Sequence, residues 1–133
     1  MSTLFVKYEG PTIRAFFPPE KRDRFVQLLS KSNGRRDALK TIHHLINFDP
    51  KWSSSVDPAS NAVELLRSKG AGPRGYVIGT SRDQSILPLD EAVECVEREA
   101  GILVCMPGRL AYYCGEGRKR RIILERGTEL HDL

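Results

Sequence analysis

The sequence predicts an α+β fold: an antiparallel sheet, built from an N-terminal hairpin and a C-terminal three-strand meander, with about four helices packed mainly on one face. Three observations point there. Apolar residues recur at helical spacing in the middle of the chain, as with Leu39, Ile42, Leu45 and Ile46. The C-terminal third alternates short apolar runs with turn residues, most densely in CMPGRLAYYCGEGRKRR, residues 105–121. The element order lacks the strict strand–helix alternation of a doubly wound parallel sheet.

Thr3 to Tyr8 and Thr12 to Phe17 are rich in aromatic and β-branched residues, with Glu9-Gly10-Pro11 between them as punctuation, and read as a hairpin. Pro18-Pro19 ends it. A helix over 20–31 follows, with Phe25, Leu28 and Leu29 on one side and Ser32-Asn33-Gly34 as its stop. A second helix, 35–47, ends before Asp49-Pro50. Residues 51–60 (KWSSSVDPAS) show no periodicity and are expected to form a mobile loop. Asp57-Pro58 opens a third helix to Lys69, with Ala62, Val63, Leu65 and Leu66 apolar and Gly70 at its end.

Residues 74–80 read as a strand. Asp90 caps a helix to Glu99 whose inward side is Leu89, Ala92, Val93 and Val96. Strands over 102–106, 110–114 and 119–125 then form the meander, with Pro107-Gly108 suited to a type II turn. The tail, 127–133, is expected to fray.

A length of 133 residues fits one domain, 1–133. Apolar residues at 40% and charged residues at 29% argue against disorder, and no apolar run approaches the roughly 18 residues of a membrane helix. With no secretory signal pattern at Met1, a cytoplasmic protein is expected, with no membrane partner. Cys95, Cys105 and Cys114 are odd in number and form no C-x-x-C pair, so reduced thiols are expected, with no metal and no cofactor. The net charge of +4 and pI near 9.1 suit an anionic partner. Basic residues dominate 1–50 and acidic ones 86–100, so the two signs are segregated along the chain.

In a regular hairpin Cys105 faces Leu110, and Cys114 lies roughly 13 Å further along, beyond disulfide reach. Cys114, close to Arg118, is the better candidate for a reactive thiol. Arg118, Lys119, Arg120 and Arg121 run from turn into strand, so their side chains alternate between faces. Either they protect an exposed edge or they touch an anion. Tyr112 and Tyr113 alternate too, and one of them near an arginine has the make-up of a base-stacking platform.

Gly70 to Gly75 spells G-x-G-x-x-G, but between a helix and a strand rather than between a strand and a helix, so no dinucleotide site is read there. Gly79, Thr80, Ser81 and Arg82, leaving the end of a strand, are the better anion-loop candidate. His43 and His44 diverge by about 100° on their helix and cannot share a metal. His44 instead extends Arg36 and Lys40 into a basic stripe beside Arg35.

Three functions follow. The first is a non-enzymatic binding module for an anionic partner, RNA or DNA, through Arg35, Arg36, Lys40 and Arg118 to Arg121. The second is a metal-free RNase or other small hydrolase using His44, Arg109 and Tyr113, where acid, base and phosphate stabiliser come from side chains. The third is a protein-interaction module, or homodimer, using the segregated surfaces, the acidic one being Asp90, Glu91, Glu94, Glu97 and Glu99 on one helix.

Overall fold

The computed structural model describes residues 3–44, 47–118 and 120–127; the side chains of His44 and Arg118 lie outside it, as do Leu45, Ile46, Lys119 and the expected fraying tail from Thr128 on. The fold is α+β. Strands β1 (Ser53–Ser55), β2 (Arg74–Ile78), β3 (Ser85–Pro88), β4 (Gly101–Met106), β5 (Leu110–Cys114) and β6 (Arg121–Glu125) form one antiparallel sheet in the order β1-β6-β5-β4-β2-β3.

The N-terminal hairpin is corrected to a helix. Pro11 has no N–H for the Lys7 carbonyl, and its ring would crowd that carbonyl in a regular α-helix. The chain accommodates it with a wider π-helical turn, Phe5–Glu9, in which Gly10 N–H reaches the Phe5 carbonyl. Helix α1 (Gly10–Phe16) continues from there. Phe5, Glu9, Thr12, Ile13 and Phe16 are buried, three or four residues apart, so a helical stripe against the sheet overrides the β propensity of the aromatics.

Helix α2 (Arg22–Ser30) falls within its expected span, but α3 (Ser32–His44) begins three residues early: Ser32-Asn33-Gly34, expected as a stop, forms its first turn, with Arg35 N–H donating to the Lys31 carbonyl at 3.0 Å. Helix α4 (Ala62–Ser68) starts later than predicted because Asn61, not Asp57, accepts the Glu64 N–H as cap, at 3.1 Å, while Asp57 makes its own turn with Ala59 N–H. Helix α5 spans Leu89–Glu99. The expected loop 51–60 instead contains β1, an edge strand paired with β6, and β3 is a further strand that the polar sequence around it concealed.

Helices cover both faces of the sheet, not mainly one. On the first face the turn Phe5–Glu9 and helices α1–α3 pack over Tyr76, Ile78, Ile102, Val104, Tyr113 and Leu124. On the second, α4 and α5 pack over Val77, Leu103, Tyr112, Cys114 and Ile123. Consecutive residues such as Ile102, Leu103 and Val104 are all buried, and a strand apolar on both sides demands cover on both.

The meander stands with one change of register. Met106–Arg109 closes the β4–β5 turn, with Gly108 at φ 74° as the type II geometry requires. Met106, not Cys105, pairs with Leu110, because the register shifts between Val104 and Met106 and Cys105 bulges out of the ladder. At the α5–β4 junction a Cβ on Gly101 would lie 2.5 Å from the Ile78 carbonyl oxygen, with φ at 152°, so this corner admits glycine alone.

Candidate functional site

On the first face, α3 carries Arg35 under the sheet, where its guanidinium joins two carboxylates. Nη1 and Nη2 each donate to Glu9 at 2.8 Å, and Nε and Nη2 donate to Asp83 at 2.8 and 2.9 Å. The fifth donor reaches the Leu29 carbonyl at 3.1 Å, so every N–H of the group is used. Glu9 is 0% exposed and also accepts from the Tyr76 hydroxyl at 2.5 Å. The Tyr8 ring stacks on Tyr76 with centroids 4.6 Å apart. Burial alone would lower the proton affinity of Arg35, but its hydrogen bonds to Asp83 and Glu9 outweigh that and hold it charged.

On the second face Arg121, 7% exposed, repeats the pattern with different partners. Nε donates to the Tyr112 hydroxyl at 2.7 Å, and Nη2 to Glu97 at 2.9 Å. The remaining donors meet the carbonyls of Asp57, Pro58 and Ser60, which pins the segment leading into α4 onto the sheet. Tyr112 in turn donates to Glu97 at 2.6 Å. Arg35 and Arg121, both expected on a nucleic-acid surface, are thus held inside the protein with their donors engaged.

Of the remaining predicted cations, Arg36 and Lys40 are exposed one turn apart on α3, while Ala38 and Ile42 face the core. Arg120 is half-buried, its guanidinium 5.7 Å from the Tyr113 ring. Arg120 and Arg121 therefore part to opposite faces, as strand alternation dictates. The Arg118 side chain and Lys119 lie outside the described residues.

Tyr113 and Arg109, two of the three proposed hydrolase residues, are not brought together. Tyr113 is buried, its hydroxyl donating to the Ile42 carbonyl at 2.6 Å, whereas Arg109 is exposed at the opposite end of β5, about 13 Å away at strand rise. The side chain of the third member, His44, lies outside the described residues. Cys114 is buried too, its Sγ 3.7 Å from the Gly115 carbonyl. Burial pushes the Cys105 thiol up to about 12.

The loop from Gly79 to Arg82 does hold anions, but they are the protein's own. Gly79 N–H donates to Asp83 at 2.7 Å, and Ser81 offers its N–H and hydroxyl to the two oxygens of Glu99 at 2.7 and 3.0 Å. Arg82 N–H is taken by the Thr80 hydroxyl. The Ser81 backbone bond holds Glu99 below the usual carboxylate range.

Burial, reinforced by Glu97 for Tyr112 and by Glu9 for Tyr76, raises the hydroxyl pKa of Tyr76, Tyr112 and Tyr113. An acid that is neutral when folded but ionises near about pH 10 when unfolded binds more protons in the native state, so stability falls as pH rises through that range. Cys105 starts the same loss from about pH 8.5. The expected result is a urea midpoint that declines above these values, with the 295 nm absorbance of the three tyrosines rising only as structure is lost. Their ionisation at ordinary pH with unchanged circular dichroism would refute it.

Two clefts flank the outer side of α5. One, of about 480 Å³, lies between Ser60, Asn61 and Val63 on one side and Asp90, Glu94 and Glu97 on the other. The second, of about 450 Å³, is bounded by Ser81, Arg82, Glu91, Cys95 and Glu99. Both also touch Arg98. Among the described residues there is no cluster of three His, Cys, Asp or Glu able to hold a metal, and no helix long and apolar enough to cross a membrane. No family model, curated protein or solved structure matches the chain, so its function is argued from this geometry alone.

Proposed function

We propose that the protein is a binding module that takes nucleic acid, as its anionic partner, on the outer surface of the N-terminal helical layer. The observation that carries this reading is the division of charge across the sheet. On the layer over the first face Lys7, Arg14, Lys21, Arg24, Lys31, Arg36 and Lys40 are exposed, against Glu20, Asp23 and Asp37. On the opposite side the exposed groups are mainly acidic: Asp57, Glu64, Asp90, Glu91 and Glu94 against Arg67, Arg82 and Arg98. A cationic surface with a helical stripe such as Arg36–Lys40 suits a phosphate backbone, which needs spaced cations rather than a pocket.

Fluorescence anisotropy with labelled single- and double-stranded RNA and DNA, repeated across salt concentrations, tests it. Affinity should fall steeply with salt, and the double variant Arg36→Ala, Lys40→Ala should flatten the log–log slope by about 1.4 to 1.8, the value for two lost phosphate contacts. An unchanged slope, or no binding at low salt, overturns the reading. Self-association at low salt in place of probe binding would instead favour an interaction between the oppositely charged faces of two copies.

A further inference from the structure

Trp52, which the predicted sites did not include, stands where the basic layer meets the open edge of the sheet. It lies in the 3₁₀ turn Pro50–Trp52 that leads into β1, the terminal strand of the sheet. The indole is half-buried against the first core, and two cations lie over it: Arg126 at 4.6 Å and Lys51 at 5.4 Å from the ring centroid. Arg126 N–H donates to the Arg109 carbonyl at 2.8 Å, which brings a further arginine, exposed at the β4–β5 turn, to the same end of the sheet.

Among the described residues, the carboxylates nearest Lys51 and Arg126 in sequence are engaged elsewhere. Asp49 caps the turn through Lys51 N–H and pairs with Arg22 at 3.7 Å, while Glu125 pairs with Lys69 of the α4 end at 2.8 Å. Ser55, opposite Ile122 of the first core, is exposed on the same face of this edge strand.

We infer that this edge is a docking point for single-stranded nucleic acid, in which the indole of Trp52 stacks on an unpaired base and Lys51 and Arg109 meet the flanking phosphates. The inference rests on the proposed nucleic-acid reading and specifies its form. An aromatic ring flanked by cations is the unit from which sequence-tolerant single-strand sites are built, since every base has a π-face and every linkage a charge. A duplex hides those faces in its own stack. The incoming base takes the place of Lys51, the more distant cation, and frees its ammonium for a phosphate.

Trp52 is the single tryptophan of the chain, so its emission reports on this site alone. The experiment titrates the full-length protein at low salt with an oligothymidine of about eight nucleotides, within the span of one such site, and with a blunt duplex. The expected result is saturable quenching of the indole by the single strand but not by the duplex. Trp52→Leu, which keeps apolar packing, should weaken single-strand binding about 5- to 100-fold, with an unchanged thermal melt confirming the fold. Should that variant fail to fold, Trp52→Phe serves in its place and should weaken binding less, since it keeps a smaller stacking face. If the single strand binds by anisotropy while the indole emission does not change and the variant binds as tightly, this inference fails and the broader reading survives. If neither probe binds, both fail.

Discussion

Glu9→Ala should lower the free energy of unfolding by about 3–5 kcal/mol, the scale of leaving one partner of a buried ion pair uncompensated. The substitution withdraws two charge-assisted hydrogen bonds from Arg35 and the acceptor of the Tyr76 hydroxyl, in a region closed to water by Tyr8 and the turn Phe5–Glu9. Asp83 remains, but it engages other donors of the guanidinium and cannot replace the lost pair. Against a typical total of about 5–15 kcal/mol, that is a large share. Urea unfolding followed by circular dichroism measures it. Arg35→Met combined with Glu9→Leu, which removes both charges and keeps bulk, should cost less than either single change if the charges matter as a pair. A loss below about 1 kcal/mol for Glu9→Ala would show that water or rearrangement compensates, and the network would then lose its structural role.

Arg121→Lys is the second large expected effect, because it is conservative in charge alone. The guanidinium serves Tyr112, Glu97 and the carbonyls of Asp57, Pro58 and Ser60 at once. A lysine ammonium has three donors at one point and cannot span them. The loss should be about 2–4 kcal/mol, given the unsatisfied groups left behind, and the Arg121→Ala loss about 3–5 kcal/mol. A thermal melt should move down by roughly 10 °C or more. Limited proteolysis adds a local reading: cleavage between Asp57 and Asn61 should accelerate, since Arg121 is what pins that segment. Equal melts for Arg121→Lys and wild type would show that a single donor suffices.

These two networks explain what could be read from the sequence and what could not. Strands β4 to β6 were legible because their signals are local: β-branched runs, a Pro-Gly turn and a Gly-Glu-Gly turn within a few residues of each other. Helices α2, α3 and α5 were legible through apolar periodicity, although the expected Asp90 cap is not made: Pro88 stands at the N-cap of α5 with no side-chain hydrogen bond, and Asp90 lies in the first turn. The N-terminal segment misled because Glu9-Gly10-Pro11 is turn-like in composition, while the spacing Phe5, Glu9, Ile13, Phe16 carried the helical signal. The burial of Arg35 and Arg121 had no local sign. Their carboxylate partners Glu9, Asp83 and Glu97 stand 26, 48 and 24 residues away, so only the folded sheet brings each set together. Arg36, Lys40 and Trp52 differ in kind: the exposure of the two cations and the half-burial of the indole follow from a helix face and a sheet edge, and a surface site is assembled from such positions without long-range pairing.

The way the first core is divided along the chain has a consequence for biosynthesis. Its helical side, from Phe5 to Phe48, lies wholly upstream of the strands that cover it, the last of which ends at Glu125. At about 5–20 residues per second, a ribosome needs roughly 4–15 s to make the intervening chain. For that interval Phe16, Phe17, Phe25, Leu29 and Ile42 are part of a nascent chain whose docking surface does not yet exist. The amphipathic helices can wind in microseconds but have nothing to close against. The growing polypeptide thus presents a greasy surface to its surroundings for seconds before Tyr76, Ile102, Tyr113 and Leu124 arrive to shield it, and this is the stage at which holdase chaperones would find their strongest grip.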